Sequence, residues 1–280
     1  MRRACALALV ALACLPGAAR ARSKSPGEIL PSQGLTRFDA LVGMPFHSQD
    51  GVGWLTQFSG TVWLESYEAL GLRMGLAGDP DGHTVPGNLV LSNWIGIDHE
   101  DPKKGYYIAG GLGLDLGFGI ADLDDGGGRA ASWSTVAMMS WPDFLAEHLA
   151  IAPRLDFALV THAFQLGIRL GPALAVPIFD PQPYDYLGAL DYDLAIIYGA
   201  RTRRAEIGFN LGLEGLAEWT RDQAHLLSVK ALVYLEFYRL DLSPLLLVRV
   251  PVHGPDAGVD LSVILGLSWD FQAWGEERRL

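Results

Sequence analysis

The chain has 280 residues, 50% of them hydrophobic and only 19% charged, with 33 glycines and a formal net charge of −11. A glycine share well above the ~7% of ordinary proteins, spread evenly among plentiful apolar residues, excludes collagen and disorder, and the acidic balance argues against nucleic acid as a partner. Beyond the first residues no apolar run approaches the ~18 needed for a membrane helix, which leaves a soluble all-β protein or a barrel whose apolar face meets lipid.

In chain order, Met1-Arg2-Arg3 is basic, Ala4 to Leu15 is apolar, and Ala19-Arg20-Ala21 fits a small-x-small cleavage site. Residues 1–21 therefore read as an export signal. Both cysteines, Cys5 and Cys14, lie within it, so no disulfide or thiol chemistry is expected of the exported protein. A lipidated Cys14 is the lesser alternative, because Ala11-Leu12-Ala13 sets the leucine one position from where a lipobox needs it. Residues 22–38, polar with two prolines and two glycines, read as a periplasmic leader.

After the leader the governing signal is a period of two, the mark of strands with two unlike faces. Val259, Leu261, Val263, Leu265, Leu267, Trp269 and Phe271 alternate with Asp260, Ser262, Gly266, Ser268 and Asp270, and Leu112, Leu114 and Leu116 with Gly111, Gly113 and Asp115. The pattern predicts strands at 54–64, 69–77, 88–97, 107–120, 150–160, 164–178, 190–200, 204–215, 224–237, 244–252 and 258–271, with a fainter first strand at 39–46. Helical spacing occurs only at Trp133 to His148, inside the longest connection, Ala121 to Leu149. Long and short connections alternate, as they do in a membrane barrel with short turns at one end and loops at the other. The lengthy connection Asp98 to Tyr106 and the short one at 253–257 fit least well. With both termini at the short-turn end, the first strand is required and the count becomes about twelve.

The second face decides between a soluble sandwich and a membrane barrel. It consists mainly of Gly, Ala and Ser with isolated charges, which suits a crowded lumen better than a water-facing sheet. Its charges are Arg73, Asp115, Arg154, Asp156, Arg169, Asp191, Asp193, Glu206, Glu214, Lys230, Glu236, Arg249, Asp260 and Asp270. The surplus of acids over bases predicts a mildly cation-preferring interior if the barrel conducts; a closed interior of paired charges is the competing reading. Tyr106, Tyr107, Tyr192, Tyr198, Trp219, Tyr238 and Trp269 fall at or near strand ends, as interfacial girdles would.

The export signal, the alternating strands, the strand opening Gly87-Asn88-Leu89-Val90-Leu91 and the final strand ending Trp269-Asp270-Phe271 together resemble Gram-negative outer-membrane β-barrels of the porin or transporter-like kind. The resemblance implies a single closed antiparallel transmembrane barrel over residues 39–271, located in the cell outer membrane among lipid and lipopolysaccharide. It also implies that the last strand is read by the outer-membrane assembly machinery, although residues 272–280 form a tail beyond the aromatic that usually ends such a chain.

Within that frame the expected function is a channel or passive transporter for small solutes. The loop 121–149, carrying Trp133, Met139, Trp141 and Phe144, narrows the lumen or else caps the rim. The alternatives are a non-conducting structural or adhesive barrel, and a secreted soluble sandwich or ligand-binding barrel. No phosphate loop, CxxC pair or HExxH occurs, so no cofactor is expected. Ser140, Asp143 and His148 cluster in sequence and His162 sits in a turn, but neither arrangement makes a nucleophile site, and no enzymatic activity is expected. No metal site is expected either: Asp79 and Asp81, and Asp122, Asp124 and Asp125 before Gly126-Gly127-Gly128, are Ca²⁺ candidates of the loop-carboxylate type but lack a full calcium-loop pattern.

Overall fold

The computed structural model describes residues 36–65, 68–101, 106–120, 127–161, 164–178, 186–201, 205–220, 225–237, 240–254 and 259–271. Its strands are β1 (Thr36–His47), β2 (Gly51–Val52), β3 (Trp54–Glu65), β4 (Glu68–Gly78), β5 (Thr84–Pro86), β6 (Leu89–Asp101) and β7 (Tyr106–Phe118). After two helices, α1 (Gly128–Met138) and α2 (Trp141–Phe144), follow β8 (His148–Thr161), β9 (Phe164–Pro177), β10 (Leu187–Arg201), β11 (Ala205–Glu218), β12 (His225–Phe237), β13 (Leu242–His253) and β14 (Leu261–Phe271).

Twelve of these strands form a closed antiparallel ring, with β2 and β5 as short additions to β1 and β4. Closure is made by β14 on β1, in unbroken register from Thr36 opposite Phe271 to Phe46 opposite Leu261. The ring leaves no sheet edge, so each of its twelve strands finds backbone partners on both sides without water, the condition for crossing a bilayer with strands.

The period of two sorts the side chains. On β7, Leu112 is 66% exposed and points out, whereas Ala109 and Asp115 point in and are buried. Val42, Phe58, Leu72, Leu155, Ile168, Ile196, Leu211 and Leu265 continue the exposed apolar band around the ring. Such a surface would be unstable in water and is what hydrocarbon requires.

Three boundaries differ from the sequence reading. Strand β1 starts at Thr36, inside the segment read as leader, because Arg37, Asp39 and Leu41 continue the inward parity. Strand β6 runs on to Asp101, which removes the lengthy connection inferred after Asp98. Strand β14 starts at Leu261, so Asp260, expected in the lumen, is instead an exposed rim residue whose Oδ2 accepts the Ser48 backbone N–H over 2.7 Å.

Candidate functional site: the plugged, charged lumen

The described part of the connection between β7 and β8, residues 127–147, folds into the barrel. Helix α1 is buried on several sides, through Ala130, Ala131, Trp133, Ser134, Val136 and Ala137. Met139, at φ 50, turns the chain in the left-handed region, and Pro142 opens α2. Opposite walls hold the pair. Phe144 and Ala137 pack with Leu55, Ala77 and Val85, while Trp141 packs with Ala173, Ala189 and Leu216 across the lumen. Met138 reaches the cluster of Leu41, Tyr234, Leu247 and Ile264. Glycines on the wall make the space: a Cβ at Gly117 would lie 2.4 Å from the Pro142 carbonyl oxygen, and one at Gly75 would lie 3.0 Å from Phe144 Cζ.

Polar contacts fasten the same segment. Arg73 Nε donates to Asp143 Oδ1 over 3.0 Å, Arg249 Nη1 to the Ala137 carbonyl over 2.9 Å, and Asn88 Nδ2 to the Leu145 carbonyl over 2.9 Å. At the rim, Arg129 ion-pairs with Asp79 and Asp81 and lies 5.8 Å from the centroid of the Trp133 ring. Burial pushes the Asp79 carboxyl up, but hydrogen bonds from His83 and Arg129 outweigh it and hold the group below its ordinary value.

Beneath the helices lies a cavity of about 270 Å³. Of the inward charges expected from the sequence, Arg73, Asp115, Arg154, Arg169, Asp191, Asp193, Glu214, Lys230 and Arg249 line it, together with Met139 and Asp143 from the plug. They are ordered by strand into a belt. Asp115 binds both Arg73, at 3.0 Å, and Arg154, at 2.6 Å. Asp156 binds Arg154, at 3.3 Å, and Arg169, at 2.9 Å. Lys230 bridges Asp193 and Glu214, and Glu214 also pairs with Arg249. Glu206 and Glu236 sit opposite each other nearer the end that carries the barrel termini, and Tyr234 donates to Glu206 over 3.2 Å.

Arg37 and Asp39 also belong to this interior and were missed by the sequence reading. Their alternation with Phe38 and Val42 was the available signal. Arg37 Nε donates to Asp39 Oδ1 over 2.7 Å, and Arg37 Nη2 to Ser268 Oγ over 2.8 Å. Asp39 takes the place of Asp260 among the inward acids, so only the added Arg37 reduces the acidic surplus inferred from sequence.

Among the remaining candidates, Trp133, Trp141 and Phe144 are buried plug residues. Asp143 turns to Arg73, and His148 Nδ1 lies 2.7 Å from the Ala146 carbonyl oxygen. Asp122, Asp124, Asp125, His162 and Tyr238 lie outside the described residues. Ligand atoms of Asp79, Asp81 and His83 come within 4.8 Å of one another, but Arg129 already supplies a cation there.

Solved structures share this architecture. An outer-membrane channel from Pseudomonas putida F1 matches 89% of this chain and 100% of its own at 12% identity, with a TM-score of 0.57. The NanC porin matches 84% of this chain and 100% of its own at 8% identity, with a TM-score of 0.52. The chain has the fold of these outer-membrane β-barrels. No family model matches the sequence, and no curated protein matches it either. Likeness at these identities is a likeness of fold.

One expectation is corrected. A barrel of this kind does not exclude an activity, and catalytic groups converge on a fold without a sequence motif, so the expectation of no enzymatic activity is withdrawn.

Proposed function

We propose that this outer-membrane barrel is a gated passive channel for small charged solutes, with residues 127–147 as the gate. The observation that carries the reading is the pairing of a charged cavity with a plug fastened to the wall by a few polar contacts. A purely structural barrel has no need of a hollow lined by six cationic side chains, Arg37, Arg73, Arg154, Arg169, Lys230 and Arg249, when apolar residues of like volume would stabilise it as well or better. The fold shared with a channel and a porin supports the same reading. In this view the inward charges, among them Asp156, Glu206 and Glu236, set selectivity, residues 1–21 direct export, and β14 is the strand the assembly machinery reads.

The test is conductance in a planar bilayer, with and without residues 128–144. Discrete ohmic steps that grow after the deletion support the gate. Silence from both forms, each still migrating as a folded barrel, overturns the channel.

A further inference from the structure

We propose that Arg73, backed by Arg154, is a binding site for the carboxylate of a small solute, and that Asp143 of the plug occupies it as an internal stand-in. The proposal rests on the gated-channel reading and names the class of solute that opens the gate.

The six charges on this side of the lumen form one chain: Asp143, Arg73, Asp115, Arg154, Asp156 and Arg169, each bound to the next at 2.6 to 3.3 Å. Five of them belong to the wall and are fixed by the strands. The first belongs to a four-residue helix in a connection. Three guanidiniums meet three carboxylates only while α2 is seated. With Asp143 withdrawn, one positive charge is left over at the Arg73 end. A further carboxylate of the belt, Asp191, acts on Arg169, at the opposite end of the chain, and on Arg154.

The donors match a carboxylate in detail. Arg73 spends Nη2 on Asp115 Oδ2 at 3.0 Å and Nη1 on Ser92 Oγ at 3.3 Å, which holds the guanidinium plane and leaves Nε for Asp143 alone. A guanidinium held in this way by wall residues is preorganised for a second planar anion, where a lysine would offer only a point charge. Arg73, Ser92, Asp115, Asp143 and Arg154 all line the same cavity of about 270 Å³, so a small carboxylate inside it reaches the site without crossing the wall. Its binding competes directly with Asp143. What it displaces is the ion pair that ties α2 to the wall, deeper in the lumen than the Arg129 pairs at the rim.

The experiment is hydrogen exchange of residues 128–144 in the detergent-folded full chain, titrated with sodium acetate at constant ionic strength, with acetamide as the neutral isostere. Acetate is expected to speed exchange of the α2 amides about tenfold, while acetamide and chloride leave them unchanged. Asp143→Asn is expected to exchange at the fast rate without acetate and to respond to it no further. Equal effects of acetate and acetamide, or slow exchange in D143N, overturn the site; if D143N does not fold, the wild-type comparison decides alone. Planar-bilayer conductance separates the two readings. An acetate effect with no conductance overturns the channel and keeps the site, whereas conductance with no acetate effect does the reverse.

Discussion

The indole Nε1–H of Trp94 on β6 donates to Asp156 Oδ2 on β8 over 3.0 Å, reaching across β7 at Gly111, where a Cβ would lie 2.3 Å from the ring. Only a residue without a side chain lets the ring pass, so the hydrogen bond depends on a position that makes none of it. Gly111→Val is expected to expel the ring, strip a donor from a fully buried carboxylate and cost ~1–3 kcal/mol. The temperature at which the folded barrel loses its heat-modifiable migration would fall. An unchanged transition would show that the ring has another seat.

Lys230 carries a comparable burden on the other wall, where it is buried between Asp193 and Glu214. Lys230→Met leaves two carboxylates short of a cation, and breaking a buried pair from one side costs about 3–5 kcal/mol. Adding Asp193→Asn should return part of the loss, because the orphaned charge goes with it. Urea unfolding of the detergent-folded protein reads both, and a double variant no more stable than the single would refute the pairing.

Leu114 stands on the outer face of β7, 38% exposed in the apolar band. Arginine there would meet hydrocarbon at a penalty of about 2–4 kcal/mol near the midplane. Leu114→Arg should fail to reach the membrane in folded form, whereas the neighbouring inward Gly113 position is governed by Arg154 packing instead. Recovery of normal amounts of heat-modifiable L114R from outer membranes would contradict the assignment of that face.

The rim fastening of the plug should respond to acid. Burial raises the Asp79 carboxyl, but hydrogen bonds from His83 and Arg129 pull it below its ordinary 3.8. A group depressed in the folded state stabilises above its ordinary value and loses that contribution as pH falls through it toward the lower native one. Protection from hydrogen exchange at residues 79–86 and at the start of α1, taken relative to the intrinsic amide rate at each pH, should therefore stay constant from neutral pH down to 3.8 and fall below it. A loss of protection centred between pH 5 and 7 would assign the fastening to a histidine instead.

Much of this architecture was legible because alternation is enforced by two unlike solvents. Leu112 and Asp115 announce their faces wherever they are placed in the lattice of the ring. The presence of helices between β7 and β8 was equally visible in the spacing of Trp133, Val136, Ala137, Met139 and Trp141. What alternation does not encode is height along the barrel. Asp260 has the inward parity of Ser262 and Ile264, yet lies just past the strand, in water. Pairing across the lumen is also invisible, since Arg73 and Asp143 are joined only because the ring brings a wall and a loop together. The side of β1 bearing Arg37 and Asp39 was hidden by the polar run before it.

The plug is written in the middle of the chain, and its anchors lie on both sides of it in sequence. Arg73 and Asn88 precede it, whereas Arg249, on β13, follows it with the five strands β8 to β12 between. A half-built sheet ending at β7 already contains the groups that receive Asp143 and Leu145, so the helices have a seat before the ring exists. The bond from Arg249 becomes available only when β13 arrives, next to the strand that seals the circle. The barrel is thus in a position to be wound around its own stopper, with the early strands holding the stopper and the late strands locking it in.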